Sequence, residues 1–197
     1  MSEPDALVAR ITITPENLER WFDSQIPPLE TWAQDWEEWL FATFDKKIPW
    51  TEMYMRGGRY PEIKASIREL VDFLIHRNGW LSAIWGQIDH CKDTNVWKLL
   101  SIEVAEDWGH MVTLLAAFRA VEAFSEGDKD DYVAFSNYFY SPESEYSSAA
   151  VRFSDGKSVM LKEPKLPASF LQDIRDQFHK AEKDRIITAL QPDAWDD

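Results

Sequence analysis

Apolar side chains recur every three or four residues in four stretches of the chain, the spacing of one face of an α-helix. The clearest stretch is LETWAQDWEEWLFATF at residues 29–44, where the tryptophans share one side of the helical wheel and most acids lie elsewhere. The others are residues 60–78, 94–125 and 170–187. The pattern predicts four amphipathic helices, and the one over residues 94–125 is expected at the centre of the fold.

A capping signal predicts one further, shorter helix near the N-terminus. Thr14-Pro15-Glu16 combines a capping residue, a proline suited to the first helical position and an early acid. A short helix is therefore expected from this point to about Ser24.

Other stretches alternate with the period of two that marks a β-strand with one drier face. LVARITIT at residues 7–14 and DYVAFSNYFY at residues 131–140 follow this pattern. Residues 148–162 place Asp155-Gly156 between two strand-like runs, which is a strong hairpin signal. WLSAIWGQIDH at residues 80–90 fits either a helix or a strand.

Together these patterns predict an α+β fold that is mostly helical. Amphipathic helices would pack with a small antiparallel β-sheet that includes a hairpin near residues 149–162. The length of 197 residues suits one domain, and no internal repeat or linker interrupts the chain. We expect a single globular domain over residues 1–190 and an acidic tail at residues 191–197.

Charge and aromatic content reduce the number of functions that are compatible with the sequence. The formal net charge is -14, which makes the chain a poor default binder of polyanionic nucleic acid and attracts it toward a basic partner. The alternative is that the acid only keeps the protein soluble. The chain also contains 10 tryptophans, and large aromatic side chains dominate both protein cores and protein interfaces.

The sequence also predicts a cellular compartment. The chain has one cysteine, Cys91, so it can form no internal disulfide, which fits a reducing compartment. Its start lacks the basic and apolar regions of a signal peptide. No apolar run approaches the roughly 18 residues that span a bilayer. We therefore expect a cytoplasmic protein that does not act at a membrane.

Candidate partner-binding residues come from the helix at residues 29–44 and from the loop that follows it. Acids on the polar side of the helix could steer a basic partner, and exposed aromatic rings could hold it. The candidates are Asp35, Glu37, Glu38, Phe41, Trp50 and Tyr54. The alternative is that the loop carrying Trp50 and Tyr54 folds down over the helices.

A weaker candidate is an anion site at Met55-Arg56-Gly57-Gly58-Arg59, where glycines precede a predicted helix start and Arg56 and Arg59 supply charge. The stretch matches neither of the two glycine-rich phosphate-binding motifs, GxxxxGK[ST] and GxGxxG. The favoured explanation is an ordinary turn flanked by arginines.

Glu103, Asp107 and His110 lie within two turns of the predicted central helix and form a candidate metal site. A solvated helix face with paired side chains is the alternative. No catalytic residue is assigned, because the chain lacks GxSxG, CxxC and HExxH, and no cofactor is expected.

These observations favour an acidic, non-enzymatic domain that neutralises or sequesters a basic protein, such as a toxin or nuclease. Immunity proteins, antitoxins and phage-encoded inhibitors share this profile of size, charge and missing catalytic motifs. Two alternatives remain open at this point. The first is a metal-dependent enzyme that uses helical Glu, Asp and His residues. The second is a structural subunit of a larger assembly.

Overall fold

A computed structural model describes residues 5–44, 49, 51, 66–76, 86–105, 108–125, 127–136, 148–162, 166 and 168–189. Among these residues, six antiparallel strands form one sheet in the order β2-β3-β1-β4-β5-β6. The strands are β1 Asp5–Thr12, β2 Gly86–Cys91, β3 Val96–Ala105, β4 Tyr132–Ser136, β5 Ala149–Ser154 and β6 Lys157–Met160. The N-terminal strand is therefore central, with β3 on one side and β4 on the other.

Within the described ranges, five α-helices cover the sheet. They are α1 Pro15–Phe22, α2 Ala33–Phe44, α3 Ile67–His76, α4 Trp108–Arg119 and α5 Ala168–Ala189. Short 3-10 helices, Leu29–Trp32 and Ala120–Ala123, precede α2 and follow α4. Helices α1 to α4 pack on one face of the sheet and α5 packs on the other, so the sheet is the middle layer of the molecule.

The prediction of a mostly helical body with a small sheet is wrong, because the sheet has six strands and helices cover both of its faces. Strand β1 forms where the alternating pattern predicts a strand, but it does not have the expected drier face. Leu7, Ala9 and Ile11 belong to the larger core, whereas Ala6 and Val8 belong to the core under α5. A strand that is buried on both faces has no drier side, and its residues no longer separate into apolar and polar sets.

The largest error lies in the predicted helix over residues 94–125, which is strand β3 followed by helix α4. Trp97 and Leu99 enter the larger core, while Leu100 faces α5. Because both faces of β3 carry apolar residues, their positions happen to match helical spacing across the strand and into the helix. Periodicity alone cannot separate these two structures.

Several local predictions are confirmed. Thr14 caps α1 by accepting a hydrogen bond from the backbone N–H of Asn17, and Pro15 is the first residue of that helix. Strands β5 and β6 form the expected hairpin, and Asp155 and Gly156 at its turn both have positive φ angles, of 52° and 69°. This is the backbone of a type I′ turn.

Two further predictions are resolved in part. Within the ambiguous residues 80–90, the described portion belongs to strand β2, Gly86–Cys91. The predicted tail at residues 191–197 lies outside the described residues, so the domain boundaries stay predictions. Among the residues that the structure describes, no helix has the length and apolar character needed to cross a membrane.

Candidate partner-binding surface

Helix α2 places its acids and its tryptophans on two different sides. Trp36, Trp39 and Leu40 are buried in the larger core, with 3% exposure or less. Glu37 and Phe41 are exposed, and they lie one helical turn apart. We call the solvent side of this helix, formed by Gln34, Glu37, Glu38 and Phe41, the α2 outer face. The buried side chains of Trp36, Trp39 and Leu40 fix the position of this face.

Phe41 is the most exposed large hydrophobic residue among those described, at 47%. Glu37, one turn before it, forms no ion pair within the described part of the chain. An exposed ring beside an exposed acid is the arrangement expected of a surface that attracts a cation and then buries an aromatic anchor.

Glu38 remains on the outer face but shares its charge. Its carboxylate lies 2.6 Å from Lys162 Nζ and accepts a hydrogen bond of 2.9 Å from Gln34 Nε2. The hydrogen bond from Lys162, followed by that from Gln34, lowers the pKa of Glu38 below its usual value. The acid therefore stays ionised, and its field is partly cancelled by the lysine.

Asp35 has a structural partner that the sequence did not suggest. Its Oδ2 accepts a hydrogen bond from Nη2 of Arg119 in α4, at 2.5 Å, and the Arg119 side chain is 1% exposed. The guanidinium also lies over the rings of Trp32 and Trp36, at 4.8 and 5.0 Å from their centroids. Burial lowers the pKa of Arg119, and Asp35 opposes that shift. Asp35 thus neutralises a buried cation.

The same arginine covers the edge of the sheet. Its Nε donates to the Ser158 hydroxyl at 2.8 Å, and its Nη2 donates to the Ser158 carbonyl at 3.1 Å. Glu122 accepts from both the backbone N–H and the hydroxyl of Ser158, at 2.8 and 2.6 Å. Because β6 is an edge strand, these contacts satisfy backbone groups that a further strand would otherwise use.

Sequence reasoning missed this cluster, although a signal was present. Arg119 and Glu122 are charged residues within the apolar run LLAAFRAVEAF, at residues 114–124. A charge in such a run is costly to bury unless it is paired. Their positions therefore indicated a buried ion pair, but the sequence did not reveal the partners Asp35 and Ser158.

The remaining predicted partner-binding and anion-binding residues cannot be placed. Trp50, Tyr54, Arg56 and Arg59 lie outside the described residues. Their assignments to partner binding and to anion binding stay predictions.

The candidate metal site was predicted on one helix, and the structure contradicts that arrangement. Glu103 lies in strand β3 and His110 lies in α4, so the three residues do not share one helix. Asp107 and the Glu103 side chain lie outside the description, and His110 is half-buried. Within the described ranges, no group of three or more His, Cys, Asp or Glu side chains could hold a metal ion. A site that involves the other residues stays a prediction.

A second polar cluster, also missed, lies under α5. Tyr132 Oη donates to Asp173 at 2.8 Å, and Lys98 pairs with the same carboxylate. Gln177 Nε2 donates to Asp173 at 3.1 Å. Burial, followed by the charge of Asp173, raises the pKa of Tyr132 well above its usual value, so the phenol remains a hydrogen-bond donor. The cluster orients Lys98 on the sheet.

Comparison with known proteins gives no functional information: no family model, curated protein or solved structure matches the chain.

Proposed function

We propose that the protein is a non-enzymatic binding domain that neutralises or sequesters a basic protein through the α2 outer face. The observation that carries the proposal is Phe41, a ring 47% exposed on α2 beside Glu37, which forms no ion pair with any residue that the structure describes. A toxin or nuclease is the class of partner that such an inhibitor would bind.

The charge of the chain supports the first stage of docking. A net charge of -14 creates a long-range field that attracts a cationic protein. Complementary charge raises the association rate more than it raises the final affinity. Glu37 and Glu38 would provide the local part of this field. Asp35 contributes less, because Arg119 neutralises it.

The packing of α2 supports the second stage. Trp36 and Leu40 are fully buried, so the helix backbone is fixed before any partner arrives. A preorganised surface avoids part of the ordering cost that association otherwise carries. Phe41 could then enter an apolar pocket of the partner, where a buried aromatic anchor contributes about 2 kcal/mol or more.

The first experiment identifies the partner. Wild-type protein and a Phe41→Ala variant are immobilised separately, and bound proteins are eluted with rising salt and identified by mass spectrometry. We expect a single basic protein that elutes with salt from the wild type and is depleted on the variant. Capture of a multi-chain complex would instead support the alternative role as a structural subunit.

The second experiment measures association and dissociation rates with the purified partner. Glu37→Lys/Glu38→Lys should slow association about tenfold at low ionic strength, and Phe41→Ala should mainly speed dissociation. The single variant Glu37→Lys has a matched control in Asp93→Lys, in the exposed turn between β2 and β3, because each replaces one acid by one lysine. Adding Lys92→Glu to Asp93→Lys gives a second control with no net change in charge. Equal slowing by Asp93→Lys and Glu37→Lys would show that α2 is not the docking surface.

A further inference from the structure

The face of the sheet that packs on α5 carries two cations directly opposite each other. Arg10 of β1 pairs in register with Lys98 of β3, and Lys98 pairs on its other side with Asp89 of β2. Side chains at such positions are about 5 Å apart at Cβ, and like charges there are destabilising. In a chain with a net charge of -14, this cation pair needs an explanation.

Two carboxylates hold these cations in place. Arg10 Nη1 lies 3.0 Å from Oδ1 of Asp131, whose side chain is fully buried. Asp131 in turn accepts from the backbone N–H of Thr12 at 2.9 Å. Lys98 is held by Asp173, as described above. An arginine has five N–H donors and a lysine has three, so both cations retain donors beyond those that Asp131 and Asp173 use.

An open cavity of about 410 Å³ lies over this pair. Its lining consists of Arg10, Asp89, Cys91, Thr94, Val96 and Lys98. Of the charged groups in this lining, two are cations and one is a carboxylate, Asp89, which lies 2.9 Å from Lys180 Nζ. The carboxylates that pair with Arg10 and Lys98 belong to Asp131 and Asp173, which are not part of the lining. The volume falls within the range of small-molecule sites, and the floor is formed by three paired strands.

We propose that this cavity binds a small anion, the carboxylate or phosphate group of a metabolite-sized ligand, between Arg10 and Lys98. An anion placed there would accept hydrogen bonds from the Arg10 and Lys98 donors that Asp131 and Asp173 do not use. The site lies on the opposite face of the sheet from α2, so it does not depend on the proposed partner-binding function.

The single cysteine of the chain lies at this cavity and can report on it. Cys91 is exposed, and hydrogen bonds from Thr94, first from its side chain and then from its backbone, lower the pKa of the thiol. Alkylation by iodoacetate, which is an anion, can be compared with alkylation by neutral iodoacetamide, using intact mass to follow both. The ratio of the two rates measures attraction of anions to the cavity.

The test uses wild-type protein, Lys98→Met and the control Lys157→Met, which removes the same charge from an exposed position on β6. We expect Lys98→Met to lower the iodoacetate-to-iodoacetamide ratio about threefold and Lys157→Met to leave it nearly unchanged. An equal ratio in all three proteins, or an equal fall in both variants, would overturn the proposal.

Competition on the wild-type protein gives a result that does not depend on whether a variant folds. Inorganic phosphate and succinate are added in separate experiments, with sodium chloride at matched ionic strength as the control. We expect one or both to slow iodoacetate more than iodoacetamide, and the stronger competitor identifies the preferred anion. If neither slows iodoacetate beyond the chloride control, the cavity is not an anion site.

Discussion

Nη2 of Arg119 lies 2.5 Å from Oδ2 of Asp35, and this contact joins helix α4 to helix α2 across 84 positions of sequence. The arginine is almost completely buried, whereas the aspartate is 39% exposed. The pair therefore places a cation in the core and its counter-charge at the edge of the core. It also connects the proposed docking helix to the sheet edge at Ser158.

Replacing Arg119 should destabilise the protein strongly. Arg119→Ala would leave Asp35 without its partner, expose the Ser158 backbone carbonyl to an empty space and remove the stacking on two indoles. We expect the free energy of unfolding to fall by about 3 kcal/mol, measured by urea denaturation. Asp35→Asn, which retains an acceptor, should cost about 1 kcal/mol.

Arg68→Ala is the matched control for that substitution. Arg68 pairs with Glu19 and Asp23 at 2.7 and 2.9 Å, but all three side chains are substantially exposed. Exposed pairs contribute less than about 1 kcal/mol. Equal losses of stability from Arg68→Ala and Arg119→Ala would contradict the structural role assigned to the buried arginine.

Asp5 should make stability fall as the pH rises. Burial raises the pKa of this carboxyl from 3.8 to about 6, partly opposed by a hydrogen bond with Ser148. Between these two values the folded state binds more protons than the unfolded state, so the free energy of unfolding decreases with increasing pH. Burying the charged Asp5 carboxylate lowers the free energy of unfolding by at most about 3 kcal/mol. This destabilisation is fully present above about pH 6 and disappears below pH 3.8.

Asp5→Asn tests this dependence, because the amide carries no charge at any pH. We expect the variant to gain stability relative to wild type at pH 8 and to gain less at pH 5, as measured by urea denaturation. Asp93→Asn, at an exposed turn position, serves as the control. A difference between wild type and Asp5→Asn that is constant with pH would mean that this carboxyl does not titrate in the expected range.

Two glycines with similar backbone angles should respond differently to alanine. Gly127 and Gly156 have φ angles of 72° and 69°, which strain any residue with a Cβ. An added Cβ at Gly156 meets nothing within 4 Å, whereas one at Gly127 lies 3.3 Å from the Ser154 backbone nitrogen. We expect Gly156→Ala to cost about 1 kcal/mol and Gly127→Ala to cost more. Thermal unfolding of both variants shows which substitution destabilises the protein more. Equal losses of stability would contradict this expectation.

Phe41 should matter for binding and not for folding. Phe41→Ala is expected to change the free energy of unfolding by less than about 0.5 kcal/mol, because nearly half of the side chain is exposed. Its neighbour Leu40 is fully buried, and Leu40→Ala should cost about 3 kcal/mol. A large loss of stability with Phe41→Ala would show that the ring is part of the core.

Sequence reasoning succeeded where a few adjacent residues determine the conformation. Thr14-Pro15 begins α1, and Asp155-Gly156 forms the hairpin turn, because these residue types favour the required backbone angles. It failed where burial is set by distant elements. Helix α5 covers the second face of β1 and β3, so Val8 and Leu100 are buried there and the alternation of a half-buried strand is lost.

For the candidate surface, the sequence predicted which residues of α2 are exposed but not their distant partners. The helical wheel placed Glu37 and Phe41 outside the core and Trp36 inside it, as the structure has them. The partner of Asp35 could not be predicted, because Arg119 reaches it only after α4 packs beside α2. The opposition of Arg10 and Lys98 likewise depends on the register of two strands that are distant in sequence.

The contacts of Ser158 with Glu122 and Arg119 also bear on self-association. Fibril growth by strand addition requires donors and acceptors that the incoming chain can use. At β6 these groups are already bonded to side chains of the same molecule, so polymerisation from that end would first have to break a buried ion cluster. Variants that loosen Arg119 should therefore lose solubility during prolonged heating before the whole domain unfolds.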